Sequence, residues 1–186
     1  MSKSAAAERS SGGSIHRWRV AGGLLWDDAH RLLLVANRRR DGRVEWTPPG
    51  GVVDPAEDMV GALGRELTEE TGLVVDIWDG PCYRVAVDFP DRAMHLSVEV
   101  YEARSHSGTF RLEDPDRIVV DARFVDVDEA AALLETAPPW VREPVWTRLG
   151  RSDSTLMAGS GPERFAFVAR GVDPGSLVVK RVDPDG

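Results

Sequence analysis

Glu66, Glu69 and Glu70 stand close together, a short distance after the glycine pair Gly50-Gly51. On a helix turning about 100° per residue these three carboxylates fall within an arc of roughly 100°. Val60, Leu63 and Leu67 form an adjoining apolar stripe. One face would pack while the other presents oxygen. Hard divalent cations such as Mg²⁺ prefer oxygen ligands, keep several waters, and are held by a few carboxylates together with substrate phosphates. Three carboxylates so close raise one another's pKa and repel unless a cation neutralises them. The competing explanation is a solvated acidic helix surface, the usual origin of glutamate-rich faces.

The flanking residues decide between the two. From Gly51 to Leu73 the chain reads G-x5-E-x7-R-E-U-x-E-E-x-G-U, where U is aliphatic, with Glu57, Arg65, Glu66, Leu67, Glu69, Glu70 and Gly72 at the defined positions. This segment resembles the signature box of the Nudix hydrolases, and the preceding 46–51 stretch, Trp-Thr-Pro-Pro-Gly-Gly, is similar to the family's strand end and turn. Ala56 stands where many members have glycine, at a position the box leaves open.

The resemblance implies an α/β fold, an α/β/α sandwich with a central mixed sheet. It implies a pyrophosphohydrolase that cleaves a nucleoside diphosphate linked to another moiety, by attack of water on phosphorus. Mg²⁺ is the expected cofactor, with Mn²⁺ as a substitute. Carried onto this chain, the metal ligands are Glu66, Glu69 and Glu70, with the carbonyl of Gly50 or Gly51 adding an oxygen. Glu57 supports the metal loop, and Arg65 orients a box glutamate through a charge-assisted hydrogen bond. The general base is a box glutamate, Glu69 or Glu70, or an acid outside the box. Glu99 leads the outside candidates, with Glu113, Asp114 and Asp116 as rivals. His95 shares the face of Glu99, and Trp140 and Trp146 are candidates for stacking a base, though core packing is the commoner role for both residue types.

The elements that must position these residues can be read outward from the box. Asp54 and Asp58 compete to cap the box helix, the family's loop, helix, loop order favouring Asp58, and Gly72 is placed to end it in a left-handed conformation. Upstream, 18–26 and 32–35 read as strands joined by a turn at Asp27-Asp28, and the polar connection 38–43 carries four arginines suited to phosphate. Downstream, 73–77 and 83–87 read as strands around a turn at 79–81. The alternation of 94–101 puts Met94, Leu96, Val98 and Val100 on one face and His95, Ser97, Glu99 and Tyr101 on the other. A strand at 117–127, a short helix at 128–134 capped by Asp128, and a last helix at 141–149 follow. Three parts are expected: a flexible tail over 1–14, the Nudix-like domain over 15–150, and an extension over 151–186 that reads as a loop followed by a short hairpin of the apolar runs 165–169 and 177–182.

Composition sets limits. With 23 Lys and Arg against 31 Asp and Glu in 186 residues, the net charge is −8. That disfavours nonspecific attraction to a nucleic-acid backbone. The expected partner is a small nucleotide, a nucleoside triphosphate (oxidised forms included), a nucleotide sugar or ADP-ribose; Pro90 lies near the offset that marks ADP-ribose hydrolases. Cys82 is the one cysteine, which rules out an intrachain disulfide and a cysteine-based zinc site. With no apolar run of signal or membrane-span length, a cytoplasmic protein without membrane contact is expected. Phe165, Phe167, Leu177 and Val179 in the extension suit either a homodimer interface or cover for the domain's own sheet edge. A noncatalytic nucleotide-binding regulatory module and a domain using metal for structure alone are the alternative functions; the first is disfavoured because every box glutamate is present.

Overall fold

The computed structural model describes residues 14–112, 118–150 and 161–185. A six-stranded mixed sheet forms the centre. It comprises β1 (His16–Leu24), β4 (Gly50–Val52), β6 (Trp78–Phe89), β7 (Met94–Ala103), β10 (Glu163–Arg170) and β11 (Val178–Val182), in the order β11-β10-β6-β7-β1-β4. β1 runs parallel to β7 and β10 parallel to β6, while the remaining pairs are antiparallel. A second sheet of three strands holds β2 (Leu32–Arg38) between β3 (Val44–Thr47) and β9 (Val119–Val125). Two small strands, β5 (Leu73–Val74) and β8 (Ser107–Gly108), pair beside the end of the box helix.

The main core lies where the inward face of the large sheet meets the second sheet and the helices α2 (Val127–Leu134) and α3 (Pro139–Leu149). Leu32 to Ala36 are all buried, as befits the middle strand of a covered sheet. The expected alternation of β7 is realised. Met94, Leu96, Val98 and Val100 pack toward this core, with Val85, Val87 and Phe89 of β6 beside them. The box helix α1 (Met59–Thr71) lies on the opposite face, on β1 and β4. Its Ala62 and Leu63 close a second cluster with Ala21, Val53 and Tyr101, and Leu67 packs with Leu25, Leu33 and Leu73. Helices therefore cover both faces, giving the expected α/β/α arrangement.

Several boundaries differ from the sequence reading. β6 runs through the 79–81 segment, absorbing it as an irregularity in its pairing with β7 between Asp79 and Tyr83, where a turn was expected. α2 is capped one residue pair earlier, by Asp126, whose side chain accepts from the Glu129 amide at 2.8 Å. The extension is part of the central sheet. Phe165 and Phe167 are fully buried, and Leu177 and Val179 are partly buried against the main core, so these side chains cover the domain's own sheet. Among the described residues no helix is long and apolar enough to cross a membrane.

Candidate active site

Asp58 caps α1, its carboxylate accepting from the Gly61 amide at 2.7 Å, and Gly72 ends the helix at φ 72° with its amide on the Thr68 carbonyl. Asp54 is left in the loop with Glu57, whose carboxylate accepts from the Asp54 amide at 3.3 Å. The helix presents its carboxylates differently from the simple two-faced picture. Val60 is exposed, whereas Glu70 is buried with the apolar residues and only 6% accessible. The carboxylate arc and the packed arc overlap. What permits this is the glycine pair of β4.

Gly50 has φ 144° and donates its amide to Glu70 Oε2 at 3.1 Å. A Cβ on Gly50 would sit 2.2 Å from the Ala21 carbonyl oxygen. At Gly51 the space a Cβ would take is filled by the Glu66 carboxyl group, whose Cδ lies 2.3 Å from that position. Gly51 thus leaves the space that Glu66 fills, while Gly50 lets β4 lie close on β1 with its amide directed at Glu70. This explains in physical terms why the Gly-Gly turn must precede the glutamates.

Arg65 organises the rest. Its Nε and Nη2 donate to the two oxygens of Glu57 at 2.9 and 3.0 Å, a fork on a carboxylate, while Nη1 donates to Glu66 at 2.9 Å and Glu69 at 3.2 Å. Nη2 also reaches the Val52 carbonyl at 3.3 Å, fastening the helix to β4. The bond to Glu57, followed by that to Glu66, raises the guanidinium well above its ordinary value, and Arg65 in turn holds the Glu57 carboxyl below its usual range. One arginine therefore compensates charge on three of the four box acids. Among the described residues no three His, Cys, Asp or Glu side chains converge as a metal shell, consistent with Glu66 and Glu69 being turned toward Arg65.

Glu99 lies in the same cross-strand row, with Gly51 opposite Ala21 and Ala21 opposite Glu99. At about 4.8 Å per strand step its backbone is about 10 Å from that of Gly51. Its oxygens are engaged by the Tyr101 hydroxyl at 2.6 Å and Arg84 Nε at 2.8 Å. Partial burial would raise its pKa, but the bonds from Tyr101 and Arg84 outweigh this and leave the carboxyl below its usual range. The structure does not join Glu99 to the box acids. Glu113, Asp114 and Asp116 lie outside the described residues. His95 is engaged across the sheet, with Nδ1 2.6 Å from Asp88 and Nε2 3.1 Å from the Ser97 hydroxyl.

A groove of about 980 Å³ opens on the other side of the sheet, between the β2–β3 loop, the α2–α3 turn and the end of β6. Six arginines line it against four carboxylates, a local positive balance in an acidic chain. Among the described residues Arg38, Arg40 and Arg92 make no ion pair, whereas Arg39 and Arg43 are held by Glu45 and Asp41. Trp140 lies edge-on to Phe89 with ring centroids 5.5 Å apart, and both line the groove. Arg142 also lines it and has a buried Nε with no hydrogen-bond partner. Trp146 packs on the core instead. None of the box acids lines the groove, but Glu45 on its wall leads through 46–49 directly to the glycine pair.

A family model described as the NUDIX domain matches residues 16–145. The chain belongs to the Nudix family. It is 28% identical over 144 residues to an RNA pyrophosphohydrolase of Erythrobacter litoralis (strain HTCC2594), covering 74% of this chain and 82% of that protein. Among solved structures, the MutT NUDIX hydrolase of Burkholderia pseudomallei is similar at TM-score 0.53 and 26% identity, over 66% of this chain and 99% of that one. The MutT protein of Methanosarcina mazei Go1 shares the fold at TM-score 0.60 and 19% identity, over 75% and 96%. As a Nudix hydrolase the protein acts on phosphoric anhydrides. The Nudix match stops before β10, so the extension that completes the sheet lies outside it.

Proposed function

We propose that this Nudix hydrolase is a Mg²⁺-dependent pyrophosphohydrolase of nucleoside diphosphates linked to a further phosphate or other moiety. The observation that carries this reading is the insertion of Glu66 into the space left by Gly51 and the seating of Glu70 on the Gly50 amide, beside Glu69 on one helix. The set suits a hard cation: carboxylate oxygens held by short-range packing, with backbone carbonyls of the glycine turn alongside. Glu66, Glu69 and Glu70 would hold the metal, with Gly51 and Glu57 in support. Bound there, Mg²⁺ neutralises the pyrophosphate and lowers the pKa of an attacking water.

The chain's own residues do the remaining work. Arg65 orients Glu57, Glu66 and Glu69 through its hydrogen bonds and holds the Glu57 carboxyl below its usual range. Glu69, 41% exposed at its side chain, is the box acid best placed to take a proton from water. Glu99 would first have to release Tyr101 and Arg84, so it is the weaker base.

Substrate choice spans nucleoside triphosphates, oxidised nucleotides, nucleotide sugars and ADP-ribose. The Erythrobacter relative, named an RNA pyrophosphohydrolase, adds RNA to these candidates. The test is phosphate or pyrophosphate release from each of these, with a 5′-triphosphorylated oligonucleotide included, in Mg²⁺ and in EDTA. Metal-dependent turnover of one class that disappears in Glu69→Gln and Glu70→Gln, both still folded, supports the reading. Turnover that survives in both variants overturns the assigned roles. A folded, Mg²⁺-binding protein silent on the whole panel favours the noncatalytic binding module.

A further inference from the structure

The sheet face that carries the box acids continues well beyond them. Residues opposite one another on paired strands share a face. From Gly51, whose missing side chain makes room for Glu66, one such row runs through Ala21, Glu99 and Arg84 to Arg164. At about 4.8 Å per strand step its four steps span about 19 Å. Two residues along the strands a second row holds Arg19, Ser97, Ala86 and Ala166, and two further a third holds Arg17, His95, Asp88, Val168 and Lys180. The box helix packs at the end of this face formed by β1 and β4. Farther along, Arg84, Arg164 and Lys180 are exposed, and Ser97, Ala86 and Ala166 are half-buried between the longer side chains. β10 and β11 lie beyond residue 145, where the Nudix match ends, so the cations farthest from the box come from the extension.

These rows form a track with a floor of small side chains and a border of long cationic ones. Among the described residues Arg17, Arg19 and Lys180 make no ion pair, while Arg84 is held by Glu99 and Arg164 by Asp185. Five cations against Glu99, Asp88 and Asp185 leave this face positive in a chain whose net charge is −8. A mononucleotide carries its charge at the metal end and has none to offer Arg164 or Lys180, whose strands lie four and five steps from β4. A continuing phosphate backbone does. The rows hold no aromatic ring except His95, which is engaged by Asp88 and Ser97, so they offer no platform on which bases stack. Contacts to the backbone alone position a strand without reading its sequence.

We propose that the substrate is a single-stranded oligonucleotide with a 5′-polyphosphate, its end phosphates at the box and its backbone crossing the sheet over Ser97, Ala86 and Ala166 toward Arg164 and Lys180. This names the substrate class of the box and rests on the pyrophosphohydrolase reading of it. Water oxygen bonds to one phosphorus of that end, the bridging oxygen leaves with its electron pair on the neighbouring phosphate, and one proton of the water passes to Glu69. At about 3.4 Å of rise per stacked nucleotide, about 19 Å holds no more than about six nucleotides. Chain length up to that limit, and not base sequence, sets kcat/KM.

The experiment uses the full chain and synthetic RNA of one, two, six and twelve nucleotides bearing a 5′-triphosphate, in Mg²⁺ at low salt. From the mononucleotide to the hexanucleotide kcat/KM should rise about 10-fold and then level off, alike for oligoadenylate and oligouridylate, and the gain should vanish as salt is raised fourfold. Arg164→Gln together with Lys180→Gln should bring the hexanucleotide-to-mononucleotide ratio down to about 2-fold; both side chains are exposed, and Lys180→Gln alone, which breaks no ion pair, gives a partial loss if the pair folds poorly. A second readout needs no turnover: anisotropy of a 3′-fluorescein hexanucleotide in EDTA. The slope of log affinity against log salt should become shallower by about 1.4 in the double variant, at about 0.7 for each phosphate neutralised on a single strand. Equal kcat/KM at all four lengths, or a native salt slope in the double variant, overturns the proposal. Salt-dependent binding that needs Arg164 and Lys180, with no hydrolysis of any length, keeps the track and removes the enzymatic reading. Metal-dependent hydrolysis of the mononucleotide with no gain from length keeps the enzyme and removes the track.

Discussion

The two glycines of β4 are neighbours in sequence but should fail in opposite ways when each is replaced by alanine. At Gly51 the new Cβ would lie 2.3 Å from Glu66 Cδ and 2.4 Å from Oε1. Ordinary contact begins at 3.4 Å, so the carboxyl group must retreat by about 1 Å. Its side chain can rotate, and the Gly51 backbone is not in the left-handed region, so the fold can absorb this cheaply. A misplacement of about 1 Å in a reacting group costs about 100-fold in rate, or about 2.7 kcal/mol of transition-state stabilisation. Gly51→Ala should therefore melt within about 3 °C of the native protein while Mg²⁺ affinity drops 10-fold or more. At Gly50 the obstruction is backbone. Its Cβ would meet the Ala21 carbonyl at 2.2 Å, at φ 144°, where a side chain is itself strained by about 1–3 kcal/mol. Gly50→Ala should lower Tm by about 2–12 °C, at about 2–4 °C per kcal/mol for a chain of this size. Calorimetry and Mg²⁺ titration on both variants measure the contrast. Native Mg²⁺ affinity in Gly51→Ala would refute the argument that Gly51 admits Glu66, and native stability in Gly50→Ala would refute the argument that β4 needs a glycine to lie against Ala21.

Other outcomes follow from the electrostatics. Glu99 has a depressed pKa in the folded protein, so its contribution to stability is complete above the ordinary glutamate value of 4.5 and is lost as pH falls through the lower folded value. Urea melts at pH 7 and pH 3.5 should show a smaller acid loss in Glu99→Gln than in the native chain; an identical loss would mean that the Tyr101 and Arg84 bonds carry no net stabilisation. At pH 7 Glu99→Gln should keep most hydrolytic activity, measured as kcat, in contrast to Glu69→Gln. Burial pushes the Cys82 thiol up to about 11, so thiol reagents at pH 8 should label it slowly in the native state and rapidly in urea.

The box was legible because its residues need one another at fixed spacing: an acid on each of three helical positions, an arginine among them, and glycine where the acids enter. The alternation of 94–101 was equally plain, since one side of β7 meets the core and the other does not. The overlap of the buried and acidic arcs of α1 was not visible, because helical periodicity places side chains by angle and says nothing about a missing side chain on the opposing strand. The place of the extension was also hidden. Its apolar runs suit a hairpin, an interface or a sheet edge alike, and only long-range pairing of β10 with β6 selects among them. The groove escaped detection for the same reason, its walls coming from four separate stretches of chain.

The joining of β10 and β11 to the sheet also decides which hydrogen-bonding edges face outward. Without them β6, twelve residues long, would be bare along its length. With them the outer strands are β4, three residues long, and β11, five residues long with Lys180 and Arg181 in its middle. Short strands and lysine or arginine on an edge discourage a second chain from adding itself by backbone pairing. The extension thereby exchanges a long, aggregation-prone margin for a short charged one, and a chain shortened at the end of α3 should lose solubility before it loses its box.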